Sequence, residues 1–517
     1  MATASSNKKP ALLGSSKQKG SARDLVSDSI ATGVIFALAL TVGQRVVGFG
    51  RGILFCRLMD DQQLGQWSMV WSYMMLLAPL AVLGLPGCFG KFTEHYRTRG
   101  QLQTFIGRIA WISAATTLMM SAAILLFPAQ FAYILFRDPQ QVSLVRFLGV
   151  AILLVSASNF LTSLMESLRQ VRVVTIMRFV TGVLFAIVGT AMLNVWEDGA
   201  SAATVGFAIS CGIGSLPAIW ILWKYRDGLS NDGEKLTQSH MWKRIAPYAV
   251  WLWASNLLAN LFEVSDRYML IHWSDLPADL AQGSVGQYHS GRVVPLLMIS
   301  VAAMLAGVLL PYLSQAWEAG NKAQVKKQLN WTVKLLSLFF TTGGVLILLL
   351  SPILFGWILQ GRYDGGLSVL PLTLVYCIWF GMATVGQDYL WVAEKGKWVA
   401  LVGGVSLLTN IVLNMILIPL IGLHGAVLAT LVGNATALIL IYFLNQKFEC
   451  KTDTGVWLTA ALPLILLLDK ELAVLTLIVI LVVSVMTELV FNKEEKSDLS
   501  KLITDKLGKF LPNKRSS

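Results

Sequence analysis

WVALVGGVSLLTNIVLNMILIPL, residues 398–420, is a run of 23 residues without a single charged side chain. A helix needs about 20 consecutive apolar residues to cross a hydrocarbon layer of about 30 Å. In the whole chain of 517 residues, hydrophobic residues make up 55% and charged residues only 14%, whereas soluble domains carry roughly 25% charged residues. The run and the composition together predict an integral membrane protein.

Runs of similar length recur along the chain and predict an all-α polytopic membrane protein with 14 transmembrane helices, arranged as 12 plus 2. Twelve helices form two six-helix lobes, and two helices follow the lobes. The thirteenth run is short and contains Pro463, so a shallow hairpin with the fourteenth is the alternative to two full crossings. The predicted spans are 30–56, 68–89, 105–127, 142–165, 173–194, 201–223, 246–272, 285–312, 331–359, 367–392, 398–420, 423–445, 456–468 and 472–491.

The same runs divide the chain into segments of different composition. The predicted organisation is a disordered cytoplasmic arm (1–29), an N-lobe with helices 1–6 (30–224), a cytoplasmic linker (225–245), a C-lobe with helices 7–12 (246–446), the two extra helices (447–492) and a cytoplasmic tail (493–517).

Basic residues are concentrated in alternate loops. On the side of the two termini we count 32, including Arg178 and Lys334, which lie near the starts of spans 5 and 9 and are grouped with the loops before them. Because cytoplasmic loops carry the excess of Lys and Arg, both termini are predicted to be cytoplasmic. The net charge of +12 therefore reflects topology rather than nucleic-acid binding. The other side has five basic residues: Arg57, Arg137, Arg146, Arg362 and Lys470.

Several reaction types are disfavoured by the sequence. The five cysteines form no CxxC pair, and the chain has neither HExxH nor GxxxxGK[ST]. Disulfides, a zinc site and ATP hydrolysis are therefore not expected. No nucleophile–base pair stands out, so the chain is predicted not to be an enzyme.

An internal repeat relates the two halves. Leu64-Gly65-Gln66-Trp67 recurs as Val285-Gly286-Gln287-Tyr288 at an offset of 221 residues, and a tight basic turn at 169–172 recurs at 394–397 at an offset of 225. Two six-helix halves in parallel orientation, related by an axis along the membrane normal, follow from this spacing. Transporters built from such repeats hold their substrate between the halves, near the bilayer midplane.

Ionisable residues inside predicted spans mark candidate sites, because burying a charge in lipid is costly. Arg45 and Arg51 lie six residues apart on span 1, about 120° apart around a helix. They cannot share one narrow stripe, although both could face a broad vestibule. Arg292 lies inside span 8, before Pro295.

Span 7 carries a polar stripe, because Asn256, Asn260, Glu263 and Arg267 are spaced 4, 3 and 4 residues apart. The stripe faces a transport cavity, or it contains only a structural Glu263–Arg267 pair, and both readings remain open. Further polar residues are candidates for ion coupling. Asn410 and Asn414, one turn apart, offer oxygens to a small cation or bond a neighbouring helix. The others are Asp266, Thr430 and Asp388, the last expected to be exposed to water at the end of span 10.

Two groups of motifs resemble polysaccharide (O-antigen and exopolysaccharide) flippases of the multidrug/oligosaccharidyl-lipid/polysaccharide, or MOP, superfamily. They are QRVVGFGR at 44–51 with LGQW at 64–67, and NxxxNMILIP at 410–419 with GLHGAVLAT at 422–430. The resemblance covers roughly residues 25–447. It implies two lobes in a V that open alternately and flip an undecaprenyl-diphosphate-linked oligosaccharide to the outer leaflet of the bacterial inner membrane, for cell-surface polysaccharide synthesis.

The resemblance also implies roles for residues. Arg45, Arg51 and Arg292 would bind the diphosphate between the lobes, since Arg stays charged and binds phosphate bidentately. The sequence resembles the lipid II flippase family more distantly. By that similarity Asp266, Asn410, Asn414 and Thr430, with the Ala426 carbonyl, would be sodium ligands. That family has a carboxylate where this chain has Asn414, and losing a charge weakens cation binding.

No cofactor is expected beyond Na⁺ or H⁺ coupling. The expected partners are the polyprenyl-linked oligosaccharide and membrane lipids, with polysaccharide polymerase and chain-length proteins as candidates, and the chain is expected to be a monomer. An ion-coupled multidrug or small-molecule antiporter of the same superfamily is the alternative function. A membrane-embedded glycosyltransferase, polymerase or ligase is the third. Basic side chains outnumber acidic ones in the middle of the predicted spans, which favours an anionic cargo.

Overall fold

The computed structural model describes residues 30–225, 233 and 236–497. The predicted arm at 1–29, much of the predicted linker and the tail from 498 onward lie outside the described residues. All regular elements in the described part are helices. The predicted all-α class is therefore confirmed.

The N-lobe is built from nine helices, several of which are two parts of one broken segment. A 3₁₀ turn at Leu85–Cys88 separates α2 from α3 with a bend of 61°. The helices are α1 (Ile30–Leu58), α2 (Asp61–Ala81), α3 (Phe89–Thr98), α4 (Leu102–Leu126), α5 (Pro128–Phe136), α6 (Val142–Ser167), α7 (Val171–Val195), α8 (Gly199–Gly214) and α9 (Leu216–Lys224).

The C-lobe and the added segment follow the same pattern of long and broken helices. A π-helical turn, Ile353–Ile358, extends α13, and a 3₁₀ helix, Leu462–Leu467, follows α17. The helices are α10 (Gln238–Trp273), α11 (Ala278–Arg292), α12 (Pro295–Glu318), α13 (Lys322–Pro352), α14 (Asp364–Gly386), α15 (Asp388–Val392), α16 (Gly396–Lys447), α17 (Thr454–Ala461) and α18 (Lys470–Met486).

By length and composition, eight helices of the described chain can cross a membrane, or nine if α2 and Leu85–Thr98 count as one bent span. The chain is a multi-pass membrane protein, but the predicted count of 14 is not confirmed. Part of the difference between the two numbers of spans arises because α16 is counted once. Its 52 residues would span about 78 Å at 1.5 Å per residue. Non-helical backbone at Ile421 and Gly422 divides α16 between predicted spans 11 and 12, and the positive φ of Gly422 suits a residue without a Cβ.

Three predicted boundaries differ from the structure. Predicted span 8 is broken, because α11 ends at Arg292 and α12 begins at Pro295, which has no backbone N–H to continue the hydrogen bonds of α11 and is favoured in the first turn of a helix. Arg292 therefore ends a helix instead of lying within one. Helix α10 begins at Gln238, inside the predicted linker. The added segment consists of a short apolar helical stretch, Thr454–Leu467, and the 17-residue α18.

The two lobes meet where α2 crosses α11. We call the face where α1 ends and α2 begins the far face, and the opposite one the near face. A Cβ placed on Gly65 would lie 1.8 Å from the Gln282 carbonyl oxygen, and one on Gly286 would lie 1.8 Å from that of Asp61. Both contacts repeat at the offset of 221 residues, so the predicted repeat is confirmed as a pseudo-two-fold contact between backbones.

Side chains reinforce the crossing with the same symmetry. Gln66 Nε2 donates to Gln282 Oε1 at 2.8 Å, and Gln287 Nε2 donates to Asp61 Oδ2 at 3.3 Å. The glycine contacts and these two hydrogen bonds form what we call the far-face lock.

Two arginines extend the lock to the ends of the first helix of each lobe. Arg137 Nη1 donates to the carbonyl oxygens of Ile271 and Ser274, each at 3.2 Å, at the end of α10. Arg362 Nη1 donates to the Arg57 carbonyl oxygen at 3.4 Å, at the end of α1. A cation at a helix C-terminus satisfies free carbonyls and the helix dipole. Each arginine thus holds the opposite lobe closed on the far face.

Substituting Gly65 with alanine is expected to loosen the far-face lock, because the new methyl group would overlap the Gln282 carbonyl. Overpacking of this kind costs about 1–3 kcal/mol, and the melting temperature of the purified protein should fall. Gly107, on α4, has open space around it and provides the matched control. Equal melting temperatures for the Gly65→Ala and Gly107→Ala proteins would contradict the proposed contact.

Candidate functional site

A cavity of about 670 Å³ lies between the N-lobe and the junction of α11 with α12. This volume is in the range of about 300–1,000 Å³ that is usual for small-molecule sites. Its walls come from α1, α2, α6, α7 and α8 on one side and from residues 289–297 on the other. The position between two repeats is the one expected for a transport substrate.

Arg45 and Arg51 both line this cavity. The side chain of Arg45 is exposed, and it makes no ion pair with any described residue. Arg51 is half-buried, and its guanidinium lies 4.2 Å from the ring centroid of Phe185. This cation–π contact orients the side chain without neutralising its charge. Arg45 and Arg51, about 120° apart around α1, therefore do face one broad cavity.

The structure adds two cavity residues that the sequence analysis did not select. Arg178 was counted as a loop charge, but it lies on α7 and lines the cavity, paired with Glu166. Its position inside predicted span 5 (173–194), five residues after the start of the span, is the signal that could have identified it. His289 on α11 also lines the cavity, with Nδ1 3.1 Å from Ser68 Oγ on α2.

Beside the cavity, one carboxylate holds two buried arginines. Glu263 Oε1 lies 3.1 Å from Arg267 Nη2 and 3.1 Å from Arg292 Nη2. Arg267 also donates to Ser72 Oγ on α2 at 2.7 Å, so it connects the lobes. The predicted Glu263–Arg267 pair is confirmed, and Arg292 belongs to this ion-pair cluster rather than to the cavity lining.

The remaining residues of the predicted α10 stripe do not join the cavity. Asn260 Nδ2 donates to the Asn256 carbonyl oxygen at 2.7 Å, and neither residue is part of the cavity lining. Of the predicted substrate residues, the structure thus brings Arg45 and Arg51 to the cavity and groups Glu263, Arg267 and Arg292 next to it.

Asp266 is the centre of a separate buried network. Its Oδ1 accepts hydrogen bonds from Asn410 Nδ2 and Asn414 Nδ2, each at 2.8 Å. Its Oδ2 accepts from Thr430 Oγ1 at 2.6 Å and from the Tyr288 hydroxyl at 3.0 Å. The structure therefore brings together four of the five residues predicted for ion coupling and adds Tyr288.

The composition of this network fits a small monovalent cation. Asn414 Oδ1 is buried and has no partner in the described part of the chain, and the Ala426 carbonyl oxygen lies 3.0 Å from Thr430 Oγ1. The single carboxylate of Asp266 balances one positive charge, and the neutral oxygens are ligands that hard cations prefer. Asn410 and Asn414 would turn their amide oxygens toward the ion. The coupling role itself stays a prediction.

The environment of Asp388 is not the one that the sequence predicts. Its side chain is buried, with 5% of the residue exposed, and its Oδ2 has no partner among the described residues. The expectation that water reaches it is wrong, because α15 packs between α12 and α16. Within the described part, no hydrogen bond connects Asp388 to the Asp266 network.

The charges of the cavity wall define what it can bind. The described lining contains three arginines and one histidine but no aspartate or glutamate. Arginines that line a cleft between apolar helices produce a positive potential, which attracts anions. The lining presents the donors that a phosphate or diphosphate group requires.

Comparisons with known proteins identify relatives of this chain. The "Uncharacterized membrane protein YabM" of Bacillus subtilis (strain 168) is 27% identical over 273 residues, which are 49% of this chain and 50% of that protein. The match thus spans about half of that relative's length. "Lipid II flippase MurJ" of the same organism is 20% identical over 407 residues, 72% of this chain and 74% of that protein.

Solved structures share the fold. An inward-facing MATE family multidrug-resistance transporter of the MOP superfamily superimposes with a TM-score of 0.67 at 14% identity, covering 79% of this chain and 94% of that one. The inward closed conformation of lipid II flippase MurJ gives a TM-score of 0.64 at 13% identity, covering 86% and 97%. The family model described as "Polysaccharide biosynthesis protein" matches residues 30–317, more than half of the chain. The predicted family is confirmed, and the chain belongs to the polysaccharide biosynthesis protein family.

Proposed function

We propose that this protein flips an undecaprenyl-diphosphate-linked oligosaccharide across the bacterial inner membrane by alternate opening of its two lobes. The observation that carries the proposal is the cavity between the lobes, whose described lining holds Arg45, Arg51 and Arg178 and no carboxylate. A diphosphate that leaves water for the membrane interior needs cationic donors in compensation. The prenyl chain would remain in the lipid beside the cavity.

The fold supplies a means of movement. The lobes are joined by a compact pseudo-symmetric lock on the far face, and the cavity lies between the lobes. Opening the lock would expose the cavity to the other leaflet. With the near face cytoplasmic, as the charge asymmetry predicts, the described conformation is closed to the outside.

The ion-coupled drug antiporter is the weaker alternative. A site for organic cations needs negative charge, whereas the described cavity lining has three arginines and no acidic side chain. The Asp266 network is proposed as the coupling site of the flippase, holding one Na⁺ or one proton. A relative whose name assigns it lipid II supports a polyprenyl-diphosphate cargo of this kind.

Reconstitution tests the proposal. Proteoliposomes containing a fluorescent undecaprenyl-diphosphate-linked oligosaccharide are treated with a membrane-impermeant quencher, which destroys only the label in the outer leaflet. The protein should render the inner-leaflet label accessible, whereas protein-free liposomes leave it protected. A label that stays protected, together with export of a cationic dye by the same vesicles, would reject the flippase in favour of the antiporter.

A further inference from the structure

Four aromatic side chains form one wall of the cavity. Trp67 and Trp71 come from α2, Phe185 from α7 and Phe207 from α8, and all four line the cavity. The ring centroids of Trp71 and Phe207 are 4.9 Å apart, and those of Phe185 and Phe207 are 5.0 Å apart. Three helices thus contribute one continuous aromatic surface.

One ring of this wall is open to a ligand. Trp67, Phe185 and Phe207 are buried, at 4%, 0% and 8% exposed, whereas Trp71 is half-buried. Trp67 and Phe207 pack against Trp71, with ring centroids 5.8 Å and 4.9 Å away, and Phe185 packs against those two rings. The Trp71 indole is therefore supported at the cavity surface. A rigid, supported aromatic face loses little conformational entropy when a ligand packs against it.

Polar groups that could orient a ligand lie on the neighbouring walls. The amides of Gln44 on α1 and Asn159 on α6 line the cavity, and neither has a hydrogen-bond partner among the described residues. An amide offers both donors and an acceptor. A supported aromatic face and free amides therefore match a ligand with an apolar face and a rim of hydroxyl groups.

Arg51 touches the aromatic wall through Phe185, whereas Arg45 lies at a different depth. Arg45 precedes Arg51 by six residues on α1, which is about 9 Å along the helix axis, and α1 runs from the near face to the far face. Arg51 lies at the level of Phe185, so Arg45 lies nearer the near face than Phe185. Trp71 lies ten residues after the start of α2, about 15 Å from the far-face end of that helix, and is therefore between the two arginines in depth. An elongated ligand would place its anionic group at Arg45 and a second group against Trp71.

From this geometry we propose that Trp71, with Gln44 and Asn159, forms a subsite for one pyranose ring of the cargo. This subsite rests on the proposed function and names the part of the cargo that it recognises. The axial C–H bonds of a pyranose carry partial positive charge and pack on the electron-rich indole face, while its hydroxyl groups bond the amides. In this arrangement the sugar lies nearer the far face, and the diphosphate binds Arg45, nearer the near face.

Binding to the full-length protein in lipid nanodiscs tests the subsite. The probes are undecaprenyl diphosphate and the same lipid carrying one glucose, galactose or N-acetylglucosamine. The unmodified protein should bind at least one glycosylated probe about tenfold more tightly than undecaprenyl diphosphate. Trp71→Ala should remove about that tenfold preference, leave undecaprenyl diphosphate binding unchanged, and be partly rescued by Trp71→Phe. Trp111 on α4, which is 73% exposed, provides the control Trp111→Ala, which should change neither affinity.

The outcomes separate the two proposals. Equal affinity of the unmodified protein for all probes would overturn the sugar subsite while leaving a diphosphate site in place. Equal weakening of every probe by Trp71→Ala would show that Trp71 serves only the packing of the wall, and would also overturn it. Failure of the unmodified protein to bind any of the probes would reject the proposed function, and the subsite with it.

Discussion

Replacing Arg45 and Arg51 together with alanine is expected to slow flipping of the undecaprenyl-diphosphate-linked oligosaccharide by about 100-fold. A hydrogen bond to a charged group contributes about 1.5–3 kcal/mol, and the double change removes two charged donors from the cavity wall. Neither guanidinium forms an ion pair among the described residues, and the cation–π contact of Arg51 with Phe185 contributes only about 0.5–2 kcal/mol. The double change should therefore cost little stability. The vesicle quenching assay measures the rate, and a thermal unfolding curve should show a melting temperature close to that of the unmodified protein.

Two further variants complete this test. Arg146 on α6 is exposed and lies outside the cavity lining, so Arg146→Ala should flip at the normal rate. Lysine at positions 45 and 51 keeps the charge but not the bidentate geometry, and an intermediate rate is expected. Flipping at the normal rate by the double alanine protein would refute a role for these arginines in carrying the cargo.

These two arginines could be identified from the sequence because the free energy of placing a charge in an apolar helix depends on the residues around it in the sequence. A charge within an apolar run requires water, a partner or a ligand wherever the helix lies. The apolar runs likewise predicted the helices, and the offset of 221 residues predicted the repeat. The same offset relates the Gly65 and Gly286 contacts of the far-face lock.

Residues whose role depends on contacts distant in sequence could not be found in this way. Arg137 and Arg362 were counted only as loop charges, yet each reaches the helix end of the opposite lobe. Arg292 was assigned to the cargo, but its partner Glu263 comes from another helix. An i,i+4 pair is visible in a sequence, whereas a pair between two helices requires their packing to be known.

Lys334 is the clearest example of a residue whose environment the sequence concealed. It was counted as a cytoplasmic loop charge, but its side chain and that of Glu495 are each only 2% exposed. Lys334 Nζ lies 3.0 Å from Glu495 Oε2 and 3.5 Å from Asp453 Oδ2. Glu495 also accepts a hydrogen bond from the Asn492 backbone N–H at 2.9 Å. One lysine on α13 thus joins both ends of the added segment to the C-lobe.

Replacing Lys334 with methionine is therefore expected to cost about 3–5 kcal/mol of stability, because removing one partner leaves a buried carboxylate uncompensated. Chemical denaturation of the purified protein measures the loss. Lys327 lies on the same helix and pairs with Glu494 at 3.7 Å, with side-chain exposures of 47% and 81%. Since exposed pairs contribute about 0–1 kcal/mol, Lys327→Met should change stability little.

The double variant Lys334→Met/Glu495→Met distinguishes a role of the buried pair in stability from a role in positioning the added segment. The free energy of desolvating two buried charges nearly cancels their electrostatic attraction. Replacing both with apolar side chains is therefore often close to neutral for stability. The double variant should therefore recover most of the stability lost by Lys334→Met, and a double variant as unstable as the single one would contradict the uncompensated charge as the cause. If the recovered protein flips its cargo more slowly, the pair serves to fix the position of the added segment against α13. If it flips at the normal rate, packing along α13, α17 and α18 is sufficient for that purpose.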